Sequence, residues 1–317
     1  METYPYTFEP IYVEKIWGGR NLERIFGRAL PVGSKIGESW ELADLDQGVS
    51  VVANGPEAGT TLTELTQRLG GELLGDASAV DGRFPLLLKL LDANDILSLQ
   101  VHPDAAAVEE IGPAAALKTE CWYVLESRGG YIYKGVKGGV QAQQFRKAID
   151  NDTVEQFVER FDVAAGDFHY LPAGTVHALG AGVVVAEVQT PSDTTYRVTD
   201  WGRGREIHVD RSMQCIHFEP PAEAPGANGQ TLLVTDFFTV ARRSVSGSSQ
   251  SLPAGQCAAI MILGASGDSR IRCASQVEPV VPVTAGQTVL LPAALKETCL
   301  ESDGECTWLE VTLGQSS

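Results

Sequence analysis

The segment Gly166-Asp167-Phe168-His169-Tyr170-Leu171-Pro172-Ala173-Gly174-Thr175-Val176-His177 combines a glycine turn, a short apolar strand and a Pro-x-Gly turn. It ends on a histidine three residues after the second glycine, an arrangement that presents one imidazole into a small β-barrel. Upstream lie Gln100-Val101-His102 and Lys118-Thr119-Glu120. Residues i and i+2 of a strand share a face, so Gln100 and His102 reach one ion from one strand. Glu120 and His177 complete the set from two others. Two imidazoles with carboxylate and amide oxygens suit Zn²⁺, with Fe²⁺, Mn²⁺ and Co²⁺ as rivals. No cysteine is placed to add a thiolate, which argues against a closed structural site. A mixed nitrogen and oxygen set with an open position reads as catalytic. Taken singly, His177 also reads as a turn cap and Glu120 as a partner for Lys118; taken together, the four read as one metal site. His169, on the strand face opposite Tyr170, reads as structural, and His208 and His217 as surface or supporting residues.

These side chains need strands to hold them. Tyr12–Arg20 and Gly37–Leu42 read as short strands with glycine turns. Phe84–Leu91 is an apolar run broken only by Lys89, which predicts a buried strand whose charge must be paired. Ile96–His102 alternates, with Ser98, Gln100 and His102 on one face; Lys118, Glu120 and Trp122 alternate likewise. Val183–Gln189 reads as another strand. Thr61-Leu62-Thr63-Glu64 fits a capping box that opens a helix through about Leu74. Gln141–Phe161 carries apolar stripes that predict helix, broken around Asn151-Asp152. Glu219–Gly229, rich in Pro, Gly and Ala, is the clearest linker, and short strands are expected after it. Gly166-x5-Pro172 recurs as Gly286-x5-Pro292, with Ala294 in place of Gly174 and Glu297 in place of His177. The repeat implies two related β-barrels, the second without the histidine site.

Composition narrows the partners. The 33 glycines and 16 prolines favour turns and β-structure over a helical bundle. A net charge of −17 argues against nucleic acid and against an anionic membrane surface. A small phosphorylated ligand needs only a few local cations and stays open. The N-terminus lacks the pattern of a signal peptide, and no apolar run approaches the ~18 residues of a membrane helix. Six scattered cysteines without a C-x-x-C pair read as reduced thiols in a cytoplasmic protein.

Gly166-x5-Pro172-x-Gly174-x2-His177 resembles the second motif of the cupin superfamily. Phe84–Lys89, Leu97–Asp104, Lys118–Tyr123 and Ser192–Val198 resemble type I phosphomannose isomerases, in particular the short bacterial form. The likeness runs from about Tyr12 to His208 and fades beyond the linker. It implies a mainly β fold of two cupin-like jelly-roll barrels with small helical insertions. Residues 1–218 would form the metal-binding barrel, 219–230 the linker and 231–317 a degenerate second barrel. It further implies a zinc enzyme that interconverts mannose 6-phosphate and fructose 6-phosphate. The family's metal ligands fall on Gln100, His102, Glu120 and His177, with Gln100 the less secure, and its essential arginine on Arg197. Long members carry an extra helical domain for which this chain has no room.

An aldose–ketose isomerase moves a proton between C1 and C2 and stabilises an enediolate, so it needs a base and positive charge. Glu187 is the candidate base or proton carrier; the competing role is orienting Arg197. Lys118 shares a face with Glu120 and is expected to stabilise the enediolate or bind phosphate. Arg197 offers a planar fork for an oxyanion. Lys89, Ser98 and Arg203 are the expected phosphate contacts, with Arg205 on the same rim. Two other readings compete: a non-enzymatic cupin that binds a sugar or phosphosugar and regulates another protein, and an Fe²⁺ oxygenase. The Gln100 ligand and the Lys118 and Arg197 cations favour phosphosugar chemistry. A monomer or homodimer is expected.

Overall fold

A computed structural model describes residues 3–275 and 277–314. They group into two compact units, one made of residues up to Ile11, Trp40–Leu88 and Ala224 onwards, the other of Tyr12–Ser39 and Lys89–Glu223. A single boundary at 219–230 was expected. Instead the first strand, Tyr6–Thr7, pairs antiparallel with Thr288–Leu291, Tyr6 opposite Leu290 and Thr7 opposite Val289. Such a pairing has no local signature in the sequence.

The unit that contains the C-terminal segment is built on one sheet. Thr231–Val234, Phe238–Ser251, Cys299–Leu313, Ala258–Ala265, Thr288–Leu291 and Tyr6–Thr7 follow one another across it. Ser269–Arg272 and Val280–Pro282 extend it from Cys299–Leu313. Short strands were expected here, but Phe238–Ser251 and Cys299–Leu313 run 14 and 15 residues. A register shift between Ser246 and Ser248 lets the long pair bend. Ile260, Ile271, Val289 and Trp308 fill its core. In the same unit the Thr61–Glu64 capping box forms as expected, but the helix is Leu62–Leu69 only. Gly70, at φ +48, separates it from Gly71–Leu74.

The other unit faces two sheets against each other. The five-stranded sheet runs Val158–Asp162, Tyr131–Val136, His177–Leu179, Leu99–Val101, Tyr196–Thr199. The six-stranded sheet runs Phe168–Leu171, Glu120–Ser127, Val183–Gln189, Leu87–Ala93, Ile36–Leu42, Ile11–Gly19. Alternation decides both faces of the smaller sheet. Leu99, Val101, Tyr133 and Val198 pack outward against Phe145 and Ile149 of helix Ala142–Asp150 and Cys215 of helix Val209–Cys215. Ile132 and Leu179 point inward, to Trp122, Leu91 and Leu171 of the larger sheet. The expected helix over 141–161 ends early: Val154–Phe157 is a 3₁₀ turn, and Val158–Asp162 is an edge strand paired with Tyr131–Val136.

The repeated motif is the same backbone device in both units. The Gly166 N–H donates to Val124 O at 2.8 Å, and the Gly286 N–H to Ile262 O at 2.7 Å. The Thr175 N–H donates to Pro172 O at 3.0 Å, and the Leu295 N–H to Pro292 O at 3.1 Å. Both glycines hold positive φ, +96 and +83, which glycine adopts without a Cβ penalty. The chain is therefore mainly β and cupin-like, with few helices. No helix among the described residues is long and apolar enough to cross a membrane.

Candidate metal centre

His102, Glu120 and His177 converge between the facing sheets. All three are buried, and one ligand atom from each lies within 4.8 Å of the others. His177 opens strand His177–Leu179 opposite Gln100 of strand Leu99–Val101, His102 follows that strand, and Glu120 opens the facing strand Glu120–Ser127. Glu120 Oε1 lies 3.1 Å from His177 Nε2, and Oε2 lies 3.5 Å from His102 Nε2.

The surroundings fix what these groups offer. His102 Nδ1 donates to Thr194 O and His177 Nδ1 to Thr175 O, each at 2.8 Å. Both bonds use Nδ1 and leave Nε2 turned toward Glu120. His102 Nε2 and both Glu120 oxygens are buried without a hydrogen bond. Burial, and then the Lys118 ammonium, push His102 down to about 3. Burial drives the Glu120 carboxyl up, but Lys118, with its Nζ 3.0 Å from Oε2, and then His102 outweigh this and hold it well below the usual range. Neutral imidazoles beside an ionised carboxylate are the states in which these groups bind metal. Gln100 Nε2 donates to His177 Nε2 at 3.3 Å. Turning the amide over would direct its oxygen to the same place, so Gln100 is one rotation from a fourth ligand. His102 Nε2 and the two Glu120 oxygens, none of them hydrogen-bonded, join His177 Nε2 in a mixed nitrogen and oxygen set that fits a single Zn²⁺.

Glu187 faces the same interior. Its Oε2 accepts from Trp122 Nε1 at 2.8 Å, and its Oε1 lies 3.1 Å from Lys89 Nζ. The Trp122 ring meets His177 edge-on with centroids 5.4 Å apart, linking base candidate and ligand. Arg197 stands opposite Gln100 in register; it donates from Nη1 to Glu206 O at 3.1 Å, and its buried Nε has no partner. Ser98 is buried just ahead of strand Leu99–Val101.

Two expected phosphate contacts are committed elsewhere. Lys89 Nζ donates to Gln189 Oε1 at 2.8 Å and pairs with Glu187, with Glu38 at 3.9 Å. The acids raise its pKa despite complete burial. Arg203 donates to Ile96 O at 2.6 Å and to Asp200 Oδ1 at 2.9 Å, and Arg205 holds the same carboxylate. His208 Nδ1 accepts from the Arg197 N–H at 3.1 Å, and His217 Nε2 lies 2.8 Å from Asp104 Oδ2. His169 does more than the sequence suggested: it stands opposite Trp122, on the inward face. Lys134 was missed. It stands opposite His177, so Lys134, His177, Gln100 and Arg197 form one row across four neighbouring strands.

A model of the phosphomannose isomerase type I catalytic domain matches residues 6–124. The mannose-6-phosphate isomerase ManA of Bacillus subtilis is 36% identical, over 96% of this chain and 98% of its own length. This chain belongs to the type I phosphomannose isomerase family. The B. subtilis mannose 6-phosphate isomerase crystal structure superposes with a TM-score of 0.85 at 29% identity, covering 98% of this chain and 99% of that one. A zinc-bound mannose 6-phosphate isomerase shares the fold at a TM-score of 0.77 and 16% identity, covering 98% of this chain and all of that one. The likeness thus spans both units, where it was expected to fade after the linker. The matched family segment carries Gln100, His102, Lys118 and Glu120, while His177, Glu187 and Arg197 lie beyond it.

Proposed function

We propose that this chain interconverts mannose 6-phosphate and fructose 6-phosphate with one Zn²⁺ held by His102, Glu120 and His177, and by Gln100 through its amide oxygen. The observation that carries this is the buried His102–Glu120–His177 group, in which His102 Nε2 and both Glu120 oxygens lack a hydrogen bond, in a chain of this family. Bound there, Zn²⁺ supplies Lewis acidity and a fixed positive charge near the sugar's C1 and C2 oxygens.

The chain's own residues do the rest. The Glu187 carboxylate takes the proton from C2 of mannose 6-phosphate, giving the enediolate, and returns it to C1; a second proton passes from O2 to O1. Trp122 and Lys89 hold Glu187 in place for this. The Lys118 ammonium, beside Glu120, and the Arg197 guanidinium, beside Gln100, stabilise the developing oxygen charge. Ser98 adds a hydroxyl to the same interior. Lys89 and Arg203 act as supports, in keeping with their internal partners. The six cysteines are unbridged, which supports a cytoplasmic location, and the working form is a monomer or homodimer.

The test is a coupled assay on mannose 6-phosphate with zinc-loaded, chelated and reconstituted protein. Turnover lost on chelation and regained with Zn²⁺ is expected. Fully loaded protein that binds the phosphosugar but never forms the isomer would instead favour a regulatory cupin.

A further inference from the structure

A second polar cluster borders the centre and has no part in the roles above. Lys134 stands opposite His177 on the same sheet face, one strand spacing of about 4.8 Å away. His169 stands opposite Trp122, whose ring touches His177. The two line one cavity of about 580 Å³ with Glu159, Phe161 and the Pro220–Glu223 segment. His169 Nε2 is buried without a hydrogen bond. Among the described residues the Lys134 side chain makes no hydrogen bond or ion pair; Glu223 is the acid that acts on it at longer range.

The other cations near the centre are mostly committed: Lys118 to Glu120, Lys89 to Glu187 and Gln189, Arg203 and Arg205 to Asp200. Two keep unmet capacity, and they flank the row at opposite ends, Arg197 beyond Gln100 and Lys134 beyond His177. A phosphosugar isomerase needs positive charge in two places, at the C1 and C2 oxygens and at the phosphate. We propose that Lys134 and His169 bind the substrate's 6-phosphate in this cavity, leaving Arg197 to the enediolate oxygens. The proposal rests on the isomerase reading.

Burial lowers the Lys134 pKa, so its ammonium is a poorly solvated cation that gains by meeting an anion. Burial, and then Lys134, push His169 down to about 4, so it offers an N–H donor and no charge. Glu159 and the exposed Glu223 stand on the same rim and oppose a dianion. Lys134 has to outweigh them, and removing Glu159 should tighten phosphate binding.

The experiment compares binding of sorbitol 6-phosphate and sorbitol, which cannot isomerise, by calorimetry on the zinc-loaded protein. Their affinity ratio isolates the phosphate. Lys134→Met should reduce that ratio about 10- to 100-fold, the range for losing a charge-assisted hydrogen bond, and Lys134→Arg should restore part of it. Glu159→Gln should raise the ratio. In turnover, the Lys134→Met loss should fall chiefly on KM. A Lys134→Met protein that melts like wild type and keeps the wild-type ratio overturns the proposal. If that variant does not fold, His169→Gln decides on the same ratio: a fall supports the subsite and no change overturns it. Absence of mannose 6-phosphate turnover in wild type would sink the isomerase reading separately, since the binding comparison needs no turnover.

Discussion

Lys89 Nζ lies 3.1 Å from Glu187 Oε1, and both side chains are buried. An apolar strand accepts a lysine here because Glu187, Gln189 and Glu38 surround its ammonium. Removing one member of a buried pair leaves an uncompensated charge, which costs about 3–5 kcal/mol. Lys89→Met should therefore destabilise the fold by that order in urea titration. The double variant Lys89→Met/Glu187→Gln should be less destabilised than Lys89→Met alone, because no buried carboxylate is stranded. Additive losses would mean the two do not interact.

Zinc removal exposes a second dependence. Without zinc, Glu120 Oε1 and Oε2 face His177 Nε2 and His102 Nε2, and the Lys118 ammonium at 3.0 Å is the cation beside them. A ligand that binds only the folded state, at a thousand times its Kd, adds about 4 kcal/mol. Chelation should lower the melting temperature and abolish isomerase activity, and added Zn²⁺ should restore both. In His177→Ala the chelated and zinc-treated melts should nearly coincide. Coincident melts in wild type would remove these three residues as a ligand set.

Local spacing made part of this site readable. Gln100 and His102 share a strand face, and His177 ends a turn whose backbone the chain builds twice, so local spacing alone groups them. Lys134 could not, because only the pairing of strands 131–136 and 177–179 brings it to His177. Lys89 was assigned to phosphate for the same reason: its partners Glu38 and Glu187 come from strands distant in sequence. The apolar stripe through Val154, Phe157 and Val158 suggested helix, but pairing with Tyr131–Val136 overrode the local periodicity after Phe157. Tyr6–Thr7 joined a sheet nearly the whole chain away, which moved the domain boundary.

A buried histidine, His102, and a half-buried one, His169, give the metal-free protein a pH dependence. Burial depresses His102 to about 3 and His169 to about 4, whereas an unfolded histidine titrates near ~6.5. Between these values the unfolded chain binds protons that the folded chain does not, so stability falls as pH is lowered. Glu120, held well below the usual carboxylate range, acts in the same direction at still lower pH. A fully desolvated histidine contributes at most about 1.4 kcal/mol per pH unit. The melting temperature of chelated protein should drop from pH 7.5 to pH 5.5, and His169→Gln should flatten that slope. A pH-independent melt in wild type would contradict the lowered pKa values of both imidazoles.

Gly174 tests whether the turn that aims His177 is also a packing constraint. It sits at φ +85, and a Cβ there would lie 2.6 Å from the His217 ring. Its N–H donates to His102 O and its carbonyl accepts from the His217 N–H, both at 2.9 Å. Gly204 has nearly the same φ, +83, but nothing within 4 Å of a Cβ. Alanine at position 204 should therefore cost only the left-handed backbone penalty, about 1–2 kcal/mol. Alanine at position 174 should cost that plus about 1–3 kcal/mol of overpacking. Because the displaced backbone holds the His102 carbonyl, Gly174→Ala should also weaken zinc affinity, while Gly204→Ala should not. Urea titrations and zinc binding on the two variants separate these terms. Equal stabilities and affinities would show that the His217 ring swings aside freely, and that Gly174 is required for its φ alone.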